Sequence, residues 1–159
     1  MPNKQAILEA LIMQLEQSLS IAIDSAKHAH QDATHEQSKA ETQYDSLGIE
    51  MAYLAEGQSK RIDSLRQKLQ VLKALTFPTN NETVQLGHLV RLTSETSREN
   101  DFAVLILPVA GGNQVSINEL TIQVVTPNAP IAVKLLKQTQ EEIVTLPWMD
   151  DAFEITEII

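Results

Sequence analysis

Eight apolar positions near the start of the chain, Leu8, Ile12, Leu15, Leu19, Ala22, Ala26, Ala29 and Ala33, are spaced 4, 3, 4, 3, 4, 3, 4. That alternation is the seam of a coiled coil, in which each core residue faces a partner helix. The seam begins with Leu and Ile and finishes with four alanines, so a partner can approach more closely toward its far end. Neither Gly nor Pro interrupts residues 4–35.

A second stretch repeats the pattern. Tyr44, Leu47, Met51 and Leu54 are spaced 3, 4, 3, as are Ile62, Leu65, Leu69 and Leu72. The gap of eight from Leu54 to Ile62 passes through Gln58 and reads as a stutter that shifts the seam. Gly48 and Gly57 fall inside the stretch, each costing the helix about 1 kcal/mol relative to Ala, so either the seam outweighs them or Gly57 marks a distortion beside the stutter. Two such seams joined by a short polar segment should fold back into an antiparallel helical hairpin. Pairing Leu8 with Leu72 places the turn near residue 40. Each arm would run about 45 Å at 1.5 Å per residue.

The tip of such a rod would be acidic. Asp32, Glu36, Glu41 and Asp45 lie near the turn, with Lys39 the one cation among them. Carboxylates on the end of a rigid rod can enter a narrow cavity and there share a metal ion or orient water. A solvated turn has the same composition. His28, His30 and His35 lie close in sequence, but His28 and His35 are two turns apart and make poor co-ligands. Lys27, Lys60, Arg61 and Arg66 are either solvated charges or a basic patch on the hairpin.

The period changes after Phe77-Pro78-Thr79-Asn80-Asn81, which reads as a linker. Five strands are expected beyond it: residues 84–92 with an interruption at Gly87, 102–109, 120–125, 143–146 and 153–158. Ala110-Gly111-Gly112-Asn113 is a turn between strands. Pro130 fits the first turn of a helix that buries Ile131, Leu135 and Leu136. Trp148 is expected to cap the core beside a turn, and the aromatics are too scattered to line a pocket. The organisation is then α+β: a hairpin over residues 1–76, a linker over 77–83 and a β domain with one helix over 84–159.

Composition narrows the function classes. The chain has no cysteine, which excludes disulfides, thiol catalysis and Cys-based zinc sites. No segment reads as a membrane span or a signal peptide, so a cytoplasmic protein is expected. Residues 1–75 carry a net charge of −2 and residues 76–159 a net of −7. Phosphate neutralisation dominates duplex DNA binding, so an acidic β half argues against direct DNA contact and for a protein partner.

The stretch Val125-Thr126-Pro127-Asn128-Ala129-Pro130-Ile131-Ala132-Val133-Lys134-Leu135-Leu136 resembles the Val-Thr-Ser-Pro-Ile-Ala-Arg-Ala-Leu-Ile segment of the bacterial Gre transcription elongation factors, sharing Pro-Ile-Ala. Gln85-Leu86-Gly87-His88-Leu89-Val90-Arg91-Leu92 is similar to that family's Gly-Ser-Thr-Val-Thr-Leu opening. Phe153-Glu154-Ile155-Thr156-Glu157-Ile158 is similar to its closing Tyr-Glu-Ile strand. Glu56-Gly57 and Arg61-Ile62 resemble its Glu-Gly-Arg-Ile sequence, here split by an insertion. The resemblance spans nearly the whole chain.

It implies an FKBP-like antiparallel β domain that docks on bacterial RNA polymerase, with Thr126, Asn128, Pro130 and Ile131 as polymerase-binding residues. It implies a coiled-coil tip inserted into the secondary channel, where Glu41, Asp45 and Glu36 act on the nascent RNA 3′ end of a backtracked transcript. The chain would be an accessory factor and not itself an enzyme. It would have no cofactor of its own, sharing Mg²⁺ with the polymerase. A monomer without membrane or isomerase function is expected. The family tip reads Asp-Leu-Ser-Glu-Asn-Ala-Glu-Tyr, with Asp and Glu three apart, whereas Glu41 and Asp45 are four apart. That departure keeps open a non-cleaving channel regulator or inhibitor.

Overall fold

The computed structural model describes residues 2–37, 46–117, 120–146, 148–149 and 151–159. Two helices open the chain, α1 (Lys4–Gln37) and α2 (Ser46–Lys73). The Asn3 side-chain carbonyl caps α1 by accepting the Gln5 N–H at 2.8 Å. The chain divides into two compact units, residues 12–70 and a second unit that joins residues 1–11 to residues 71–159. The division therefore falls within the helices and not at the 77–83 linker.

In the first unit the seam is closed by Leu15, Ala22, Leu65 and Leu69, all buried, with Ile12, Leu19, Ala26 and Ile62 half-buried. The second arm corrects the expected stutter. Leu54 is 57 % exposed, while Gln58 and Ala55 are half-buried. Reading back from Leu69, the steps to Leu65, Ile62, Gln58 and Ala55 are 4, 3, 4, 3, an unbroken heptad. Helix α2 runs through Gly57 without a break. Hydrophobicity alone favours Leu54 as the core residue, but the geometric period places Gln58 and Ala55 inward. By length and composition, Lys4–His28 is apolar enough to cross a membrane, with a window of mean hydropathy 1.4. This differs from the expectation above, because the seam adds to Met13 and Ile21, which are 70 % and 57 % exposed.

The second unit is built on a six-stranded sheet of order β3-β4-β2-β1-β6-β5. Its strands are β1 (Leu89–Ser94), β2 (Phe102–Ile106), β3 (Gln114–Ile117), β4 (Leu120–Val125), β5 (Ile143–Thr145) and β6 (Ala152–Ile158). The sheet is mixed, since β2 and β4 are parallel while the other neighbours are antiparallel. Strand β3 is an addition to the expected five; only Val115 of its four residues is buried, so its apolar signal is faint. The Gly112 turn (φ 88°) joins it to β2.

Strand β1 begins at Leu89 and not at residue 84. Gly87 adopts φ 86°, and a Cβ there would lie 2.6 Å from Pro78 Cδ, so the linker packs against this bend. Val84 instead exchanges hydrogen bonds with Gln138 and Lys137, beyond the domain's helix. That helix, α3 (Pro130–Leu135), has Pro130 in its first turn and buries Ile131, Ala132 and Leu135. They join a core with Val90, Leu92, Val104, Ile106, Phe153, Ile155 and Ile158. A bulge in the β1–β6 pairing lets Ile155 and Ile158, three apart, face the same core. Phe102 and Phe153 meet edge to face at 5.2 Å, so two of the aromatics expected to be scattered are neighbours. Trp148 is 54 % exposed and does not cap the core.

His88 is fully buried beside this bend. Its Nδ1 accepts the Gln85 N–H at 3.2 Å, which places the proton of the neutral ring on Nε2. Burial, then the charge of Lys4, holds its pKa below the ordinary 6.5, against the pull of the Asn80 and Thr83 carbonyls. Lys4 Nζ donates to the Pro78 carbonyl at 3.5 Å and stands 5.1 Å over the Phe77 ring.

Two outcomes follow for stability. Gln58 Oε1 is buried without a hydrogen-bond partner in the seam, so Gln58→Leu should raise stability by about 1 kcal/mol in urea denaturation. The folded His88 pKa is lowered, so its stabilising contribution is complete above 6.5 and is lost as pH falls through the folded value. Urea midpoints should therefore fall from about pH 7.5 to about pH 5.5, and His88→Gln should flatten that slope.

Candidate functional site: the hairpin and the α3 loop

Of the expected tip carboxylates, Glu36 lies in the last turn of α1 with Asp32 one turn before it. Glu41 and Asp45, with Tyr44 between them, lie outside the described residues. Among the described residues no three His, Cys, Asp or Glu side chains gather to hold a metal ion.

Lower on the hairpin, both helices line an open cleft of about 460 Å³. Ile23, Ala26 and Ile62 form its apolar floor, and Lys27, Asp63 and Arg66 stand at its rim. Arg66 pairs with Asp63 at 3.6 Å, and Lys60 pairs with Glu56 at 2.8 Å one turn away along its own helix. Both pairs are exposed and contribute little to stability. Of the four cations expected as a basic patch, the structure brings Lys27 and Arg66 to one cleft and engages Lys60 with Glu56.

In the β domain, the segment carrying Thr126, Asn128, Pro130 and Ile131 forms the turn into α3. The Ala129 N–H donates to the Thr126 carbonyl at 2.9 Å and the Val133 N–H to the Ala129 carbonyl at 3.0 Å, which starts the helix. The turn packs on the β2–β3 connection: a Cβ on Gly111 would approach the Thr126 nitrogen to 3.2 Å and its Cγ2 to 3.1 Å. Asn128 and Pro130 are exposed and Thr126 is half-buried. Ile131 is 8 % exposed and points into the core, so it positions the loop and offers no contact surface. Val133, 62 % exposed on the outer side of the same helix, is an apolar surface side chain that the sequence pattern did not single out. The signal available was its i+2 offset from Ile131, which turns it about 200° from the buried stripe. Lys134 stands beside it, also exposed.

No protein-family model matches this chain, and no curated protein sequence is similar to it at a significant level. Its structural neighbours include Gfh1 proteins. The crystal structure of GreA factor homolog 1 (Gfh1) of Thermus thermophilus is 18 % identical, with 93 % of this chain and 94 % of that one covered and a TM-score of 0.38. The Gfh1 crystal structure from Thermus aquaticus is 20 % identical, with 94 % of each chain covered and a TM-score of 0.38. A further structure, described as the transcription factor Gfh1, is 20 % identical over 94 % of this chain and 93 % of that one, with a TM-score of 0.39.

Burial separates Ile131 from Val133 on α3. Ile131→Ala should cost about 2–4 kcal/mol in urea denaturation. Val133→Ala should stay within about 0.5 kcal/mol of the parent.

Proposed function

We propose that this chain is a Gre-type transcription factor that binds bacterial RNA polymerase and places its hairpin tip in the secondary channel. The observation that carries the reading is the succession of elements: helices of 34 and 28 residues, then a sheet with one short helix. The segment of residues 125–136 enters that helix at the place where its sequence resembles the family.

In this reading the β domain is the docking element. Asn128, Pro130 and Val133 present a small exposed surface around α3, and Ile131 anchors it from below. The hairpin is the reaching element. Its tip carboxylates Glu36, Glu41 and Asp45 supply hard oxygen donors of the kind that suit Mg²⁺. Such an ion, held by the polymerase, would support hydrolysis of the nascent RNA phosphodiester. The chain's part is to deliver those oxygens; the acidic charge of residues 76–159 disfavours duplex DNA as an alternative partner. The protein acts as an accessory factor, as a cytoplasmic monomer.

One feature of the sequence favours a second reading. Glu41 and Asp45 are four apart, without the Asp-x-x-Glu spacing of the family tip. A protein that docks but does not complete the cleavage site would occupy the channel and slow or modulate the polymerase.

Both readings meet in one assay, transcript cleavage by a halted, backtracked bacterial polymerase with Mg²⁺. Faster release of short 3′ fragments, lost in a Glu41→Ala, Asp45→Ala double variant, is the expected result. Absence of cleavage with slowed nucleotide addition, relieved by Val133→Asp, would assign the regulator. No binding to polymerase at all would overturn both.

A further inference from the structure

Residues 76–159 contain four basic side chains, Arg91, Arg98, Lys134 and Lys137, against eleven acidic ones. Two of the four, Arg91 and Arg98, line a single open cleft of about 380 Å³. The cleft sits on strands β1 and β6 in the interior of the sheet order. Arg91 and Thr93 alternate with Val90 and Leu92, which belong to the α3 core, so they occupy the opposite face. On that face Leu89, two residues before Arg91, is fully buried. The sheet surface thus changes from apolar to polar at Arg91, and the polar part lies open.

The floor is made by Thr93 and Thr156, whose hydroxyls are hydrogen-bonded at 3.1 Å, and the Thr156 hydroxyl also donates to the Arg91 carbonyl at 3.5 Å. Alternation from Ile155 puts Thr156 on this side, and the bulge in β6 adds Glu157, paired with Arg91, beside it. The two acidic residues in the cleft already have work inside the protein. Asp101 Oδ1 accepts the Ser94 N–H at 3.0 Å, and Glu157 is engaged as well. Among the described residues no ion pair engages either guanidinium.

The backbone that carries Arg98 is held in place by its surroundings. It opens a short 3₁₀ turn, Arg98–Asn100, capped by Ser97. Behind the turn, Asp151 Oδ2 accepts from the Ser94 hydroxyl, from Thr96 Oγ1 at 2.8 Å and from Asn100 Nδ2 at 3.3 Å. Ser94 Oγ in turn accepts the backbone N–H of Thr96 at 3.1 Å and of Ser97 at 2.9 Å. These bonds, the Ser94 hydroxyl first, hold the Asp151 carboxyl below its usual range, so the knot stays charged and closed at neutral pH.

We propose that this cleft binds the phosphate group of a small phosphorylated molecule, gripped by Arg91 and Arg98 over the Thr93–Thr156 hydroxyl pair. Guanidinium donors match phosphate oxygens in geometry and charge, and a preorganised turn reduces the cost of ordering them. The volume suits a phosphate with a small organic group attached. A nucleic acid strand is disfavoured because the surrounding domain carries a net charge of −7. The inference stands apart from the transcription reading, because it uses no residue of the hairpin tip or the α3 loop.

The test is a titration of the full chain with pyrophosphate at low salt, followed through backbone amide NMR shifts, with acetate as a parallel arm. Saturable shifts at Arg91, Thr93, Arg98 and Thr156 are expected, with acetate at least about tenfold weaker. Arg98→Gln, on an exposed turn, should weaken pyrophosphate about tenfold without moving the urea midpoint, and Arg91→Gln should act likewise. Glu157→Gln should tighten binding by removing a like charge. Shifts that do not saturate, that map to the hairpin cations, that survive both arginine substitutions or that acetate reproduces equally would overturn the proposal.

Discussion

A β-sheet whose two faces are both apolar must be covered on both, and this requirement organises the second compact unit. Val90, Leu92, Val104 and Ile106 face α3. Their alternates Leu89, Ala103, Leu105, Ile122 and Val124 are just as deeply buried but stand outside that core. One helix of six residues cannot cover both sides. The remaining buried side chains of the unit are chiefly those of the helix ends, Ile7, Leu8, Leu11 and Leu72. Burying apolar surface is worth about 25 cal/mol per Å², so a unit with this many buried side chains outside the α3 core gains from including the helix ends. The Lys4 contacts to Phe77 and Pro78 and the Gly87 bend against Pro78 tie the start of α1 and the linker into this same unit.

The hairpin obeys a different economy. Leu15, Leu65 and Leu69 close its seam with large side chains, while Ala22, Ala26, Ala55 and Gln58 fill it farther along. Small residues bury less area per turn, so cohesion between the helices declines in that direction. The open cleft of about 460 Å³ lies beside Ala26 and Ile62, where this thinning begins. A buried Gln in a seam reduces stability but restricts register, since only some alignments leave its amide tolerable.

Polar residues are partitioned by face with equal economy. Along β6, alternation sets Ile155 in the core and Thr156 toward Thr93 on the other face, and the bulge returns Ile158 to the core side. In α3 the same helix presents Ile131 inward and Val133 outward, so one short segment joins the core to a surface. Each of these surfaces is a by-product of core packing, which is why they sit on rigid elements.

The sequence by itself determined the large divisions. Heptad spacing gave two long helices, the Pro/Asn linker marked the change of period, and Pro130 with Ile131 and Leu135 located α3. Such features are local, because spacing and the missing proline N–H act within a few residues. Tertiary structure alone decided that Leu54 lies outside the seam and Gln58 and Ala55 within it, because position relative to the partner helix overrides hydrophobicity. It likewise decided that β2 and β4 run parallel, that the compact unit reaches back to residues 1–11, and that Arg91, Arg98, Thr93 and Thr156 share one cleft. Those outcomes depend on pairings across tens of residues, and no local spacing encodes which distant surface a side chain will meet.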